Sequence, residues 1–139
     1  MSRAKATIAL ARYATRIEAG GHFIVADESA SNGGANAGPA PYDLLLMSLG
    51  ACTAITLRMY ADRKQWDMTA LTVDLHFLRD GDKERIDRVL HLEGTLSDVQ
   101  RARFADIAER TPVTLTLKKG LTILTELAAP DAGGITAQP

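Results

Sequence analysis

An α+β fold with mostly antiparallel sheet is what this sequence predicts. Three features point there: two pairs of strand-like segments joined by turns, a long uncharged helical run between the pairs, and an amphipathic helix after the second pair. Helices and hairpins are segregated along the chain rather than alternating singly, which is the α+β pattern and not that of a parallel α/β sheet. At 139 residues the chain is one domain by length, assigned to 1–130, followed by a Gly-, Ala- and Pro-containing tail at 131–139 expected to be flexible.

The elements follow in order. Ile8 and Leu10 open a strand-like segment that runs toward Ile17; Gly20-Gly21 supplies a turn, and Phe23-Ile24-Val25 returns. Residues 29–41 are dense in Gly, Asn, Ser and Pro and read as a loop. Pro41 then suits the first turn of a helix, Asp43 matches the positive end of its dipole, and Arg58, Arg63 and Lys64 match the negative end. Between them, Leu44 to Leu57 carry no charge. That run is roughly 21 Å long, shorter than a bilayer span, and no stretch of roughly 20 uninterrupted apolar residues is expected. A helix apolar on every face is buried on every face. One small domain cannot supply that cover, so a second copy of the chain is expected to cover part of it.

Leu71, Val73, Leu75 and Phe77 alternate with polar residues as a half-buried strand, and Asp80-Gly81-Asp82-Lys83 forms a turn. Ile86, Arg88, Leu90 and Leu92 alternate in the return strand of the hairpin. Ser97 and Gln100 fit a capping box, and Phe104, Ile107, Ala108 and Thr111 follow helical spacing to about Arg110, where Pro112 ends the helix. Leu121, Ile123, Thr125 and Leu127 predict a last strand.

Composition narrows the function. With 16 basic and 17 acidic residues, interspersed, the net charge of −1 offers no footprint for nucleic acid or an anionic membrane. The single cysteine excludes a disulfide framework, and the three scattered histidines give no metal-ligand spacing. Neither a metal nor a cofactor is expected. The first residues hold no apolar run of signal-peptide length, and the expected location is the cytoplasm, a reducing compartment.

The one residue that suggests chemistry is Cys52, at the middle of the apolar helix among Ser48, Gly50, Ala51 and Ala54. A buried lone cysteine is more often a small packing residue than a nucleophile, and spacing alone favours packing. Gly50, costly inside a helix, implies a close approach by another part of the chain or by a ligand.

The string Gly38-Pro39-Ala40-Pro41-Tyr42-Asp43-Leu44-Leu45-Leu46, continued by Ser48-Leu49-Gly50-Ala51-Cys52-Thr53-Ala54, resembles the first signature of the OsmC/Ohr family of thiol-dependent hydroperoxide reductases. The likeness extends from about Ala6 to Leu127. It implies an intertwined α+β homodimer with the two long helices at its centre, in agreement with the apolar helix. It also implies that Cys52 attacks organic hydroperoxides and passes through a sulfenic acid. The family has a second, resolving cysteine where this chain has Thr111, so an external thiol has to reduce Cys52. The family arginine that stabilises the thiolate comes from the N-terminal hairpin. Arg16 is the candidate, with Arg12 nearby, and the turn itself carries His22. The family glutamate that orients the arginine falls at Tyr42, with Asp43 the nearest carboxylate. The rival reading is a catalytically degenerate member that binds a small hydrophobic ligand in the dimer cleft. A hydrolase is not supported, because no Ser/His/Asp or paired-carboxylate constellation is present.

Overall fold

A computed structural model describes residues 1–130; the segment read as a tail, 131–139, lies outside the described residues. Strands β1 (Ala4–Ile8), β2 (Thr15–Ala19) and β3 (His22–Ala26) form an antiparallel sheet in that order. The single strand expected from Ile8 toward Ile17 is therefore corrected to two strands and a turn. No Gly or Pro marks that turn. Arg12 takes a positive φ of 45°, and the Ala14 amide donates to the Ala11 carbonyl at 2.9 Å. The turn at Gly20-Gly21 is as expected: both have positive φ, 59° and 80°, the combination that suits the twist of a two-residue hairpin.

The loop from Asp27 to Ala40 folds around one carboxylate. Asp27 is buried and accepts backbone N–H bonds from Glu28 at 2.7 Å, Ala37 at 3.0 Å and Ala35 at 3.2 Å. This packing delivers the chain to helix α1 (Pro41–Lys64), where Pro41 occupies the first turn and the Asp43 carboxylate accepts from the Ala40 amide at 3.0 Å. Leu49, Thr53, Leu57 and Ala61, four residues apart, form the buried stripe of α1. On the opposite face Met47, Ile55 and Met59 are more than half exposed (56%, 54% and 60%), so the apolar helix is covered on one side only by its own chain.

At 24 residues α1 is long and apolar enough to cross a membrane by length and composition, which corrects the expectation that no segment reaches that test. The buried stripe, packed on the hairpin and on the second helix, marks it as a core helix.

Strands β4 (Asp67–Asp80) and β5 (Lys83–Thr95) form the long antiparallel hairpin, with Leu71 opposite Leu92, Val73 opposite Leu90 and Phe77 opposite Ile86. The close approach foreseen at Gly50 is to this hairpin. A Cβ there would sit 3.0 Å from Leu75 Cδ1, tighter than side chains normally allow.

Helix α2 (Asp98–Ala108) has the predicted cap: the Ser97 hydroxyl accepts from the Gln100 amide at 3.1 Å, and the Gln100 side chain accepts from the Ser97 amide at 2.8 Å. Phe104 is fully buried and meets Trp66 edge-on at 5.5 Å and Tyr60 at 6.2 Å. With Leu57, Ala61, Met68 and Ala108 it forms the core.

Helix α2 ends at Ala108, short of the Arg110 expected, and Pro112 instead begins a helix that sequence reasoning missed, α3 (Pro112–Lys119). Its sequence, Val-Thr-Leu-Thr-Leu after the proline, alternates with β-branched residues and carries no helical signal except the proline itself. Among the described residues the last strand expected at Leu121–Leu127 is not formed and pairs with no other strand, and Leu121, Ile123, Leu124 and Leu127 are largely exposed. A strand needs a neighbour to supply its hydrogen bonds, and the described residues offer this segment none.

Candidate active site

Cys52 lies on α1 one residue before the buried Thr53 and is itself half-buried. The backbone brings α3 onto it. The amide N–H of Val113, in the first turn of α3, donates to Cys52 Sγ at 3.4 Å. First-turn amides have no partner inside their helix, so the sulfur takes up one of the free donors at the positive end of α3.

The neighbours of this pair are joined by an arginine. Arg88 projects from β5, and only 11% of its side chain is exposed. Its Nη1 donates to Thr53 Oγ1 at 3.0 Å and to Thr114 Oγ1 at 2.9 Å. Its Nη2 donates to the Ala108 carbonyl at 2.8 Å and meets Glu109 Oε2 at 3.3 Å. Thr53 in turn donates to the Leu49 carbonyl at 2.7 Å, and Thr111 Oγ1 and Thr114 Oγ1 lie 2.7 Å apart. Thr111, the position matched to the family's second cysteine, is buried as the residue that precedes α3. It stands two residues from the amide that meets the sulfur.

A cavity of about 470 Å³ adjoins this network, lined by Leu49, Phe77, Ile86 and Leu117 together with Arg88 and Thr114. Glu109, also on its lining, is held below the usual carboxylate range by hydrogen bonding from Lys118, helped by the charges of Lys118 and Arg88. The thiol thus meets a helix N-terminus, and the hollow with its charged border lies beyond Arg88 and Thr114, its lining not including Cys52. Among the described residues no group of His, Cys, Asp and Glu could hold a metal ion.

The other expected site residues are elsewhere within the chain. Tyr42 packs on Phe77, with ring centroids 4.7 Å apart, and its hydroxyl accepts from Arg79 at 3.0 Å. It lies ten positions before Cys52, roughly 15 Å along the helix axis. Asp43 is engaged at the start of α1. Arg16 stacks over the Phe23 ring at 3.7 Å and pairs with Glu18 at 3.7 Å; among the described residues no hydrogen bond joins it to Cys52. Sequence reasoning brought Cys52 and the Thr111 region to one place but overlooked Arg88, Thr53, Val113 and Thr114. One signal for Arg88 was available: it occupies the inward phase of β5 between Ile86 and Leu90, where a charge is out of pattern.

The model of the family described as OsmC-like protein matches residues 33–126, most of the chain. The chain belongs to the OsmC-like family. Solved structures share this fold. An OsmC-like protein from Mycoplasma pneumoniae is 19% identical with a TM-score of 0.74, over 85% of this chain and 87% of that one. An organic hydroperoxide resistance protein OsmC from Legionella pneumophila is 17% identical with a TM-score of 0.63, over 85% and 89% of the two chains. An OsmC-like hydroperoxide resistance protein from Jannaschia sp. CCS1 is 18% identical with a TM-score of 0.53, over 94% and 93%. No curated protein matches the chain. The OsmC-like assignment fits the architecture, a long helix between antiparallel sheets with its one cysteine at mid-helix.

Proposed function

We propose that this OsmC-like protein reduces organic hydroperoxides through the single thiol of Cys52, as a cytoplasmic homodimer in defence against oxidative stress. The observation that carries the reading is the Val113 amide aimed at Cys52 Sγ from the start of α3. A donor at a helix N-terminus favours a sulfur that bears negative charge, and the thiolate is the nucleophilic form. The thiolate attacks the terminal oxygen of the hydroperoxide. The O–O bond breaks, the departing alkoxide takes a proton to become an alcohol, and Cys52 is left as the sulfenic acid. With Thr111 in place of a second thiol, no disulfide forms within the chain. One external thiol displaces water to give a mixed disulfide, and a second releases Cys52 and leaves as the oxidised disulfide. The apolar lining from Leu49, Phe77, Ile86 and Leu117 favours an organic peroxide over hydrogen peroxide.

A second reading is a degenerate member that holds a small hydrophobic ligand, and it draws support from Thr111 and from the same apolar hollow. One experiment separates the two. Reduced protein is treated with cumene hydroperoxide, and Cys52 is followed by intact mass with a sulfenic-acid trap. The expected result is stoichiometric oxidation far faster than that of free cysteine, absent in Cys52→Ser, whose turnover with added thiol falls to background. Oxidation no faster than free cysteine overturns the peroxidase reading and favours ligand binding.

A further inference from the structure

The geometry points to Arg88 as the positioning residue that sets the reactivity of Cys52, an inference that rests on the reading of Cys52 as the reactive thiol. The argument is one of registration between two helices. The contact to be held is Cys52 Sγ on α1 with the Val113 amide on α3. Arg88 Nη1 bridges the next residue on each helix, Thr53 at 3.0 Å and Thr114 at 2.9 Å. The same guanidinium fixes the end of α2 through the Ala108 carbonyl at 2.8 Å. Its planar fork thus ties the residue after the thiol, the residue after the thiol's donor, and the turn that leads into α3.

The hydrogen-bond directions are consistent. Thr53 spends its proton on the Leu49 carbonyl, so its oxygen is free to accept from Arg88. Thr114 lies within reach of both the Ala108 carbonyl at 3.3 Å and Thr111 at 2.7 Å for its own proton. A lysine could not reproduce this bracket, because its point charge lacks the planar set of donors. The interior placement matters as well: hydrogen bonds from a charged donor are stronger than neutral ones and hold geometry better when water is excluded.

Alkylation by iodoacetamide tests this, because it reports the thiolate whether or not a hydroperoxide is a substrate. Rates are measured across a pH series for the wild-type protein, Arg88→Gln and Thr114→Val, with circular dichroism to confirm folding. The expected result is a three- to tenfold slower alkylation at neutral pH in both variants, with the profile displaced to higher pH and the helical signal kept. Should Arg88→Gln fail to fold, Thr114→Val decides, since it keeps the arginine and removes its acceptor on α3 together with that hydroxyl's contacts to Thr111 and Ala108. Profiles and rates within twofold of wild type in the folded variants overturn the inference. Slow oxidation of the wild type by cumene hydroperoxide overturns the peroxidase reading instead, and leaves the alkylation comparison standing as its own result.

Discussion

At the scale of single residues, the structure turns on a few polar groups placed where apolar ones are expected. Asp27 is the clearest. Its carboxylate is held below the ordinary range chiefly by the Ala37 amide, then by the Glu28 amide; burial opposes them, and the Ala35 amide adds a smaller contribution. A carboxylate depressed in the folded state binds fewer protons than in the unfolded chain, so the stability it confers is full above the unfolded value, near 3.8, and is lost as pH falls through the folded value. Asp27→Asn is expected to lower the melting temperature at neutral pH, and the gap to wild type is expected to close as the pH is lowered through that window. A gap that stays constant down to acid would show that the charge is not what holds the loop. Residues were unequally legible in the sequence. Cys52 stood out through its flanking motif, and Asp43 through its place at a helix start. Apart from the adjacent Glu28 amide, the roles of Asp27 and Arg88 depend on partners 8 to 35 residues away, and local pattern carries no record of those distances.

At the scale of elements, the readable ones were those whose signals are local and agree with one another. Helix α2 combines a capping box with an apolar stripe, and β4–β5 combines alternation with a turn. Its cap makes a direct test. Ser97→Ala removes the acceptor for the Gln100 amide, and a loss of about 1 kcal/mol is expected from a side-chain cap of this kind, read as a lower denaturation midpoint in urea with an unchanged slope. A loss below a few tenths would mean that water replaces the serine oxygen at little cost. Where local signals conflict, the reading fails. The stretch from Val113 to Lys119 alternates like a strand yet forms α3, because Pro112 presets the first turn, and Thr114 is buried against Arg88 and Thr111. The turn between β1 and β2 has no Gly or Pro, so it was invisible until Arg12 was seen in the left-handed region.

At the scale of the whole molecule, the apolar surface is unbalanced. Met47, Ile55 and Met59 form an exposed row on α1, and Leu121, Ile123, Leu124 and Leu127 stand exposed beyond α3. Exposed apolar rows such as that on α1 mark an association face. The wild-type chain is expected to sediment as a dimer at micromolar concentration. Met59→Asp, which places a charge on the exposed row of α1, is expected to shift it to monomer and to make melting independent of concentration. A wild-type protein that sediments as monomer throughout that range would leave the exposed row to another partner. The sequence anticipated this imbalance through the uncharged run of α1. The segment expected as a last strand belongs to the same account, since its exposed apolar residues have no strand beside them among the described residues.

Thr111 has a consequence for how the molecule responds to its surroundings. A disulfide between α1 and the start of α3 would make the joint between these helices depend on reduction potential, locked when oxidised and loose when reduced. Here the joint consists of hydrogen bonds centred on Arg88, Thr114 and Thr111, and these are indifferent to the thiol–disulfide poise of the compartment. Apart from the Val113 contact to the sulfur itself, the bonds that register the helix pair are therefore a separate variable from the oxidation state of Cys52.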